Sequence, residues 1–194
     1  MTAQVYVIAG PNGVGKTTFA NEFLPKYAKC PTFVNADLIA QGLAPFKPGT
    51  VAIKAGKLLV ERIRELGERE ETFAFETTLA GRRYGDVLRK MKAKGYRIHI
   101  FFLWIPSVQM ALARIANRVR MGGHSIPSDT VERRFKRGLH NFLFEYQNLA
   151  DSWYLFDNSD IPPALVAKEE EGKRTVLDGN LYAQITGGKG GKNG

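Results

Sequence analysis

The sequence is poor in the residues that many protein chemistries depend on. Its 194 residues include one cysteine, Cys30, so an internal disulfide is excluded, and a metal or redox role for that thiol would need a partner the sequence does not supply. Read this way, Cys30 is a small, partly buried apolar residue. Of the three histidines, His99 falls in a strand pattern and His140 in a helix pattern, neither with a partner at metal-ligand spacing. No apolar run approaches the length needed to cross a bilayer. The opening MTAQVYVIAG has neither a basic leader nor a long apolar segment. A cytoplasmic protein with no membrane association is expected.

What is present fits an ordinary globular domain. Apolar residues make up 44% and charged residues 24%, and the length suits one domain with a proper core. Formal net charge is +9, from 28 Lys and Arg against 19 Asp and Glu, which favours acidic partners. Part of the excess is local. Between Arg114 and Arg137 lie Arg114, Arg118, Arg120, Arg133, Arg134, Lys136 and Arg137, against only Asp129 and Glu132. The terminal GGKGGKNG, 187–194, has the composition of a disordered tail, leaving 1–186 as a single domain.

Periodicity alternates strands with helices. VYVIA reads as a buried parallel strand, followed by a glycine-rich loop and a helix from Lys16 to about Tyr27. PTFVNA reads as a second strand ending at Asp37, with LIAQGL opening a helix. VAIKAGKLLVERIRELGERE is strongly amphipathic, TFAFETT is a third strand, and GRRYGDVLRKMKAKG a helix closed by Gly95. YRIHIFFLWI is the longest strand signal and stops at Pro106, and Trp104 with its phenylalanines reads as core, as does Trp153. Helices are expected over Val108–Val119 and Asp129–Leu149, separated by MGGHSIP. SWYLFDNS follows as a strand, and ALVAKEEEGKRTVLDG as a final hairpin. The pattern predicts an α/β fold with a mainly parallel sheet in three layers, a helical lid over about 114–137 and a C-terminal β-hairpin.

The chemistry begins at GPNGVGKTT. Gly10, Pro11, Asn12, Gly13, Val14, Gly15, Lys16 and Thr17 match G-x-x-x-x-G-K-[ST] between a strand and a helix, with Thr18 next in line. Such a loop turns its N–H groups, a helix N-terminus and a lysine toward phosphate oxygens, while its threonine holds Mg²⁺. ATP and Mg²⁺ are the expected cofactors. The LSGGQ-like signature and Asp-Glu strand end of transporter-type ATPases are lacking, as is the NKxD-type motif of GTPases.

Two acids stand where strands two and three should end, beside the loop in a parallel sheet. Asp37 suits a base that takes the proton of an acceptor hydroxyl, and equally a helix N-cap before LIAQGL. Glu76 suits either acceptor hydroxyls or the ordering of Mg²⁺, and equally a structural role. Thr78 shares its loop and can bond a substrate, whereas Thr77 reads as structural. The arginines of the lid suit, as a group, the charge that spreads during phosphoryl transfer, whereas any single one of them suits better a solvated basic face or nucleic-acid patch. Arg118 and Arg120 cannot share a helix face, so at most one of them faces the nucleotide squarely. His124, in the glycine hinge, is a candidate ligand contact or a local loop histidine.

Taken together, GPNGVGKTTFA, FVNADLIA, FAFETTLAGR and RVRMGGHSIPSDTVERRF resemble the zeta toxin family, in particular its short stand-alone branch often labelled predicted ABC-type ATPases. The likeness runs from about Val5 to Ser159. It implies a P-loop kinase fold that phosphorylates a small acidic metabolite such as UDP-N-acetylglucosamine, with a separate antitoxin as a possible partner. Lys16 and Thr17 match the family's Walker residues, Asp37 its base, Glu76 and Thr78 the acid and threonine after strand three, and Arg118 the first lid arginine. The second lid arginine aligns near His124, with Arg133 or Arg134 able to supply its charge. Asn35 stands where the toxins carry aspartate. A polynucleotide kinase or nucleic-acid-linked ATPase ranks below this reading, and a non-catalytic ATP-switched binding module below that.

Overall fold

In the computed structural model, residues 2–81, 83–123 and 125–188 are described. Seven strands form one sheet in the order β2-β3-β1-β4-β5-β6-β7. β1 (Gln4–Ala9), β2 (Phe33–Val34), β3 (Phe73–Thr77), β4 (Arg97–Trp104) and β5 (Ser152–Asp157) are parallel. β6 (Ala164–Glu170) and β7 (Lys173–Val176) add an antiparallel edge, the expected hairpin.

Strand alternation distributes the core. On β4, Ile98, Ile100, Phe102 and Trp104 point to one face, where α3 (Ala52–Glu68), α4 (Arg83–Ala93) and α7 (Gly179–Thr186) cover them. Phe101, on the opposite face, packs with Ile8 and Ala74 under α1 (Lys16–Phe23). A third cluster, Val14, Leu103, Ile105, Ala111, Ile115 and Val131, seats α5 (Val108–Arg120) and α6 (Ser128–Asn141) beneath the glycine-rich loop. Helices on both faces of a mostly parallel sheet give the expected three layers.

Several local expectations change. Strand two is only Phe33–Val34, because the Asn35 side chain accepts N–H bonds from Asp37 (2.7 Å) and Leu38 (3.3 Å) and starts α2 (Ala36–Leu43) there. Asp37 is therefore neither a strand end nor the helix cap; it sits in the first turn of α2. The helix expected to reach Leu149 ends at Asn141 and widens into a π-helical turn over Phe142–Tyr146, closed by Gln147 N–H on Phe142 O (3.0 Å). The first helix widens in the same way over Leu24–Ala28. α7 was not legible as a helix; Asp178 caps it through Leu181 N–H. Of the tail, Gly187 and Gly188 form its terminating turn, and 189–194 lie outside the described residues.

Candidate functional site

The sheet order decides which distant residues meet. β1 lies between β3 and β4, so the loop after it opens at the carboxyl ends of its neighbours, where ligands gather in open α/β sheets. Gly10 starts the loop with φ 139°, and a Cβ there would stand 2.3 Å from Leu103 O; only glycine fits. Asn158, buried at the end of β5, donates its amide to Val14 O and braces the loop from behind. Arg114 bonds the carbonyls of Asn158 (2.9 Å) and Ser159 (2.7 Å). Its charge thus anchors α5 to the strand end rather than serving the lid.

Lys16 is 6% exposed, with its ammonium donating to Pro11 O (2.9 Å) and 3.6 Å from Glu76 Oε1. Burial pushes its pKa down, opposed by the Glu76 and Asp37 carboxylates and reinforced by the Arg118 charge. On β3, Glu76 points to the same face as Ala74, toward α1, and this lets it accept the Thr17 hydroxyl at 2.7 Å. Asn35 Nδ2 donates to the same oxygen, Glu76 Oε2, at 2.7 Å and lies 3.4 Å from Thr17 Oγ1. One carboxylate thus gathers three side chains from α1 and the cap of α2. The sequence left Glu76 open between acceptor hydroxyls, the ordering of Mg²⁺ and a structural role, and gave no sign of this direct contact with the loop threonine. Its carrier is strand three, 59 residues from Thr17.

Two clefts meet at Asp37. One, of about 640 Å³, runs from Asn12, Lys16 and Glu76 past Thr78 to α3, α4 and α6. Its described lining carries Lys16, Lys57, Arg83, Arg133, Arg134 and Arg137 against Asp37 and Glu76. The other, of about 600 Å³, lies between Thr17, Arg118 and the α2–α3 connection with Leu38 and Phe46. Arg134 donates to Asn12 Oδ1 (3.2 Å), so α6 reaches the phosphate loop. Burial and the neighbouring Arg133 press the Arg134 pKa down, with Asp37 and Tyr84 opposing; a guanidinium starts high enough to stay charged.

The lid segment is tied down at both ends. Arg114 holds one; at the other, α6 packs so closely on the loop after β3 that a Cβ on Gly138 would stand 2.3 Å from Thr78 O. Asn141 donates to Leu79 O (2.7 Å) and Tyr146 to Gly81 O (2.9 Å), fixing that loop. Thr77 accepts from Leu79 N–H (3.1 Å), the structural part expected of it. Arg120 is exposed and bonded to Asn117 on its own helix, outside both clefts. His124 lies outside the described residues.

The residues fit Mg²⁺ and a nucleotide. Thr17 and Glu76 are hard oxygen donors side by side, suited to an ion that takes one or two protein ligands and completes its shell with phosphate and water. Among the described residues no three His, Cys, Asp or Glu side chains converge, so an all-protein metal cage is not built there. No described helix is long and apolar enough to cross a membrane.

No protein-family model matches the chain. An uncharacterized protein of Haemophilus influenzae is 29% identical over 126 residues, 65% of this chain and 88% of that protein. Among solved structures, a chain of the AvrRxo1-ORF1:AvrRxo1-ORF2 complex superposes with a TM-score of 0.79 in the structure with sulphate ions and 0.76 in that with ATP, at 17% identity. All of this chain is covered there, yet it spans only 66% of that protein's length. A chain from the PezAT chromosomal toxin–antitoxin system of Streptococcus pneumoniae gives 0.68 at 12% identity, covering 99% of this chain and 81% of its own. A gluconokinase from Sinorhizobium meliloti gives 0.51 at 17%, covering 82% and 84%. The chain has the fold of a P-loop kinase, and the likeness expected from its four motif blocks is met at the level of fold.

Proposed function

We propose that this protein is an ATP- and Mg²⁺-dependent phosphotransferase acting on a hydroxyl of a small acidic metabolite, a nucleotide sugar such as UDP-N-acetylglucosamine being the first candidate. The observation that carries the proposal is Asp37: a carboxylate in the first turn of α2, at the junction of the phosphate loop with a cleft dominated by cations. A neutral acceptor gains little from six cationic side chains; an acceptor bearing phosphate gains much.

Lys16 and the loop N–H groups hold the ATP phosphates, and Thr17 with Glu76 holds Mg²⁺, which when bound neutralises phosphate charge. Asp37 accepts the proton of the acceptor hydroxyl as its oxygen bonds the γ-phosphorus and the bond to the ADP oxygen breaks. Arg134 and Arg118, one lining each cleft, would meet the spreading charge. Thr78 lines the acceptor cleft and is held there by α6. An antitoxin partner fits this reading, since complexes stand among the proteins of the same fold.

The test is untargeted. Wild type and Asp37→Asn are incubated with Mg-ATP and a bacterial metabolite extract containing added UDP-N-acetylglucosamine, and the products are compared by mass spectrometry. The expected result is a new phosphorylated species made by the wild type alone, with the variant slower by roughly 10²–10⁴-fold and ATP affinity nearly unchanged. A variant as fast as wild type removes Asp37 from the mechanism. ATP loss with no new species refutes a small-molecule acceptor and points to nucleic acid or to hydrolysis.

A further inference from the structure

The two ends of the Asn35 side chain serve two different parts of the site. Its Oδ1 accepts from the N–H groups of Asp37 (2.7 Å) and Leu38 (3.3 Å), fixing the first turn of α2 and with it Asp37. Its Nδ2 donates to Glu76 Oε2 (2.7 Å) and lies 3.4 Å from Thr17 Oγ1. The residue is 4% exposed, so each of these bonds is made away from bulk water.

We infer that Asn35 is a positioning residue that orients the Glu76 carboxylate for Mg²⁺ and locks that metal-facing acid to the helix turn carrying Asp37. This rests on the reading of the site as one for Mg-ATP. Glu76 Oε2 already takes the Thr17 hydroxyl; the amide fixes the carboxylate's rotation about its last bond, leaving Oε1 turned to Lys16 at 3.6 Å. An aspartate at position 35 would cap α2 equally well but, ionised, has no hydrogen to give Glu76. It would instead set a second carboxylate against the first. The amide is therefore the feature that this chain uses, and the cap alone does not explain it.

Asn35→Ser separates the two roles. Serine is as good a cap as asparagine, yet its hydroxyl is too short to replace the amide bond across to β3. Binding of methylanthraniloyl-ATP is followed by fluorescence during titration with magnesium chloride, and repeated in excess chelator. The variants are Asn35→Ser, Glu76→Gln and the double substitution, with melting temperatures measured alongside. Groups that orient a metal ligand typically contribute about 10–100-fold in metal affinity, so Asn35→Ser is expected to raise the Mg²⁺ half-saturation about 10-fold. Metal-free nucleotide affinity stays unchanged, and the effect vanishes in the Glu76→Gln background.

An unchanged half-saturation in Asn35→Ser overturns the inference. So does a loss of nucleotide affinity that is equal with and without the metal, or one that persists in Glu76→Gln, because either marks a merely structural role. A wild type whose nucleotide binding ignores Mg²⁺ altogether refutes the underlying reading of the site, and the inference falls with it.

Discussion

Replacing Gly138 with alanine sets two well-defined effects against each other. Gly138 lies inside α6, where alanine is favoured over glycine by about 0.8–1 kcal/mol of helix propensity. Propensity alone thus predicts a more stable protein. The geometry predicts the reverse, because the new methyl would meet Thr78 O at 2.3 Å, and that atom belongs to backbone rather than to a movable side-chain end. Relief requires α6 and the loop after β3 to part, which costs about 1–3 kcal/mol as overpacking. It also stretches the Asn141 bond to Leu79 O, worth about 1 kcal/mol more. The net expectation is a loss of about 1–3 kcal/mol, or a melting temperature lower by roughly 3–10 °C for a domain of this size. Gly56 is the control, since it sits in α3 with nothing within 4 Å of a new Cβ. Gly56→Ala should gain about 0.5–1 kcal/mol. Scanning calorimetry on both variants decides the matter. If Gly138→Ala melts at or above wild type, the close approach does not hold the β3 loop and the account of Thr78 is wrong.

Three further substitutions probe the phosphate side. Arg134→Ala removes the guanidinium bonded to Asn12 and should lower ATP turnover by about 10²–10³-fold, as loss of one transition-state donor does; Arg120→Ala, exposed and outside both clefts, should change it less than twofold (roughly) by the same reasoning. Turnover measured with and without UDP-N-acetylglucosamine checks the pair, and equal effects from the two arginines would refute the assignment. Asn158→Ala leaves Val14 O without its side-chain donor behind the loop, which should cost about 1–3 kcal/mol in thermal unfolding and weaken ATP binding in a titration. A variant with wild-type stability and affinity would show that the loop needs no such brace.

The parts of the fold that were legible share one property: their signal is local. The glycine-rich loop is one contiguous pattern, β4 shows its alternation in RIHIFFLW, and the β6–β7 hairpin announces itself by its charged turn. What was not legible depends on pairing across long separations. The Thr17–Glu76 bond joins residues 59 apart, and it exists because the sheet places β3 beside β1, an order that no strand pattern encodes. Arg114 reads in the sequence like any other arginine of a basic segment; only the position of the β5 end, 44 residues on, turns it into an anchor for two carbonyls. Asn35 and Asp37 illustrate a subtler limit. Both are good caps two residues apart, and the choice between them follows from where β2 leaves β3, after Val34. α7 lacked a strong signal because eight residues carry barely two turns of periodicity.

The electrostatics of the two clefts give the proposed reaction a direction. Lys16, nearly buried, is held between Pro11 O and Glu76, and its pKa lies below the ordinary lysine value because burial outweighs two nearby carboxylates. A phosphate placed against the loop would add negative charge beside this buried ammonium and help to offset the cost of its burial. The same holds on a larger scale in the 640 Å³ cleft, where four cations besides Lys16 and Arg134 surround the approach to Asp37. Asp37 and Glu76 are too few to balance them. An acceptor carrying its own phosphates would supply the balance and bring its hydroxyl toward Asp37, while a neutral sugar would leave the cations repelling one another. On this reading Arg134 and Arg118, on separate helices and one in each cleft, would meet the transferring group, with Arg114 and Gly138 anchoring those helices. The charge that the proposed reaction spreads would then be met by side chains already in place, so little of the catalytic geometry would have to be assembled when the substrates bind.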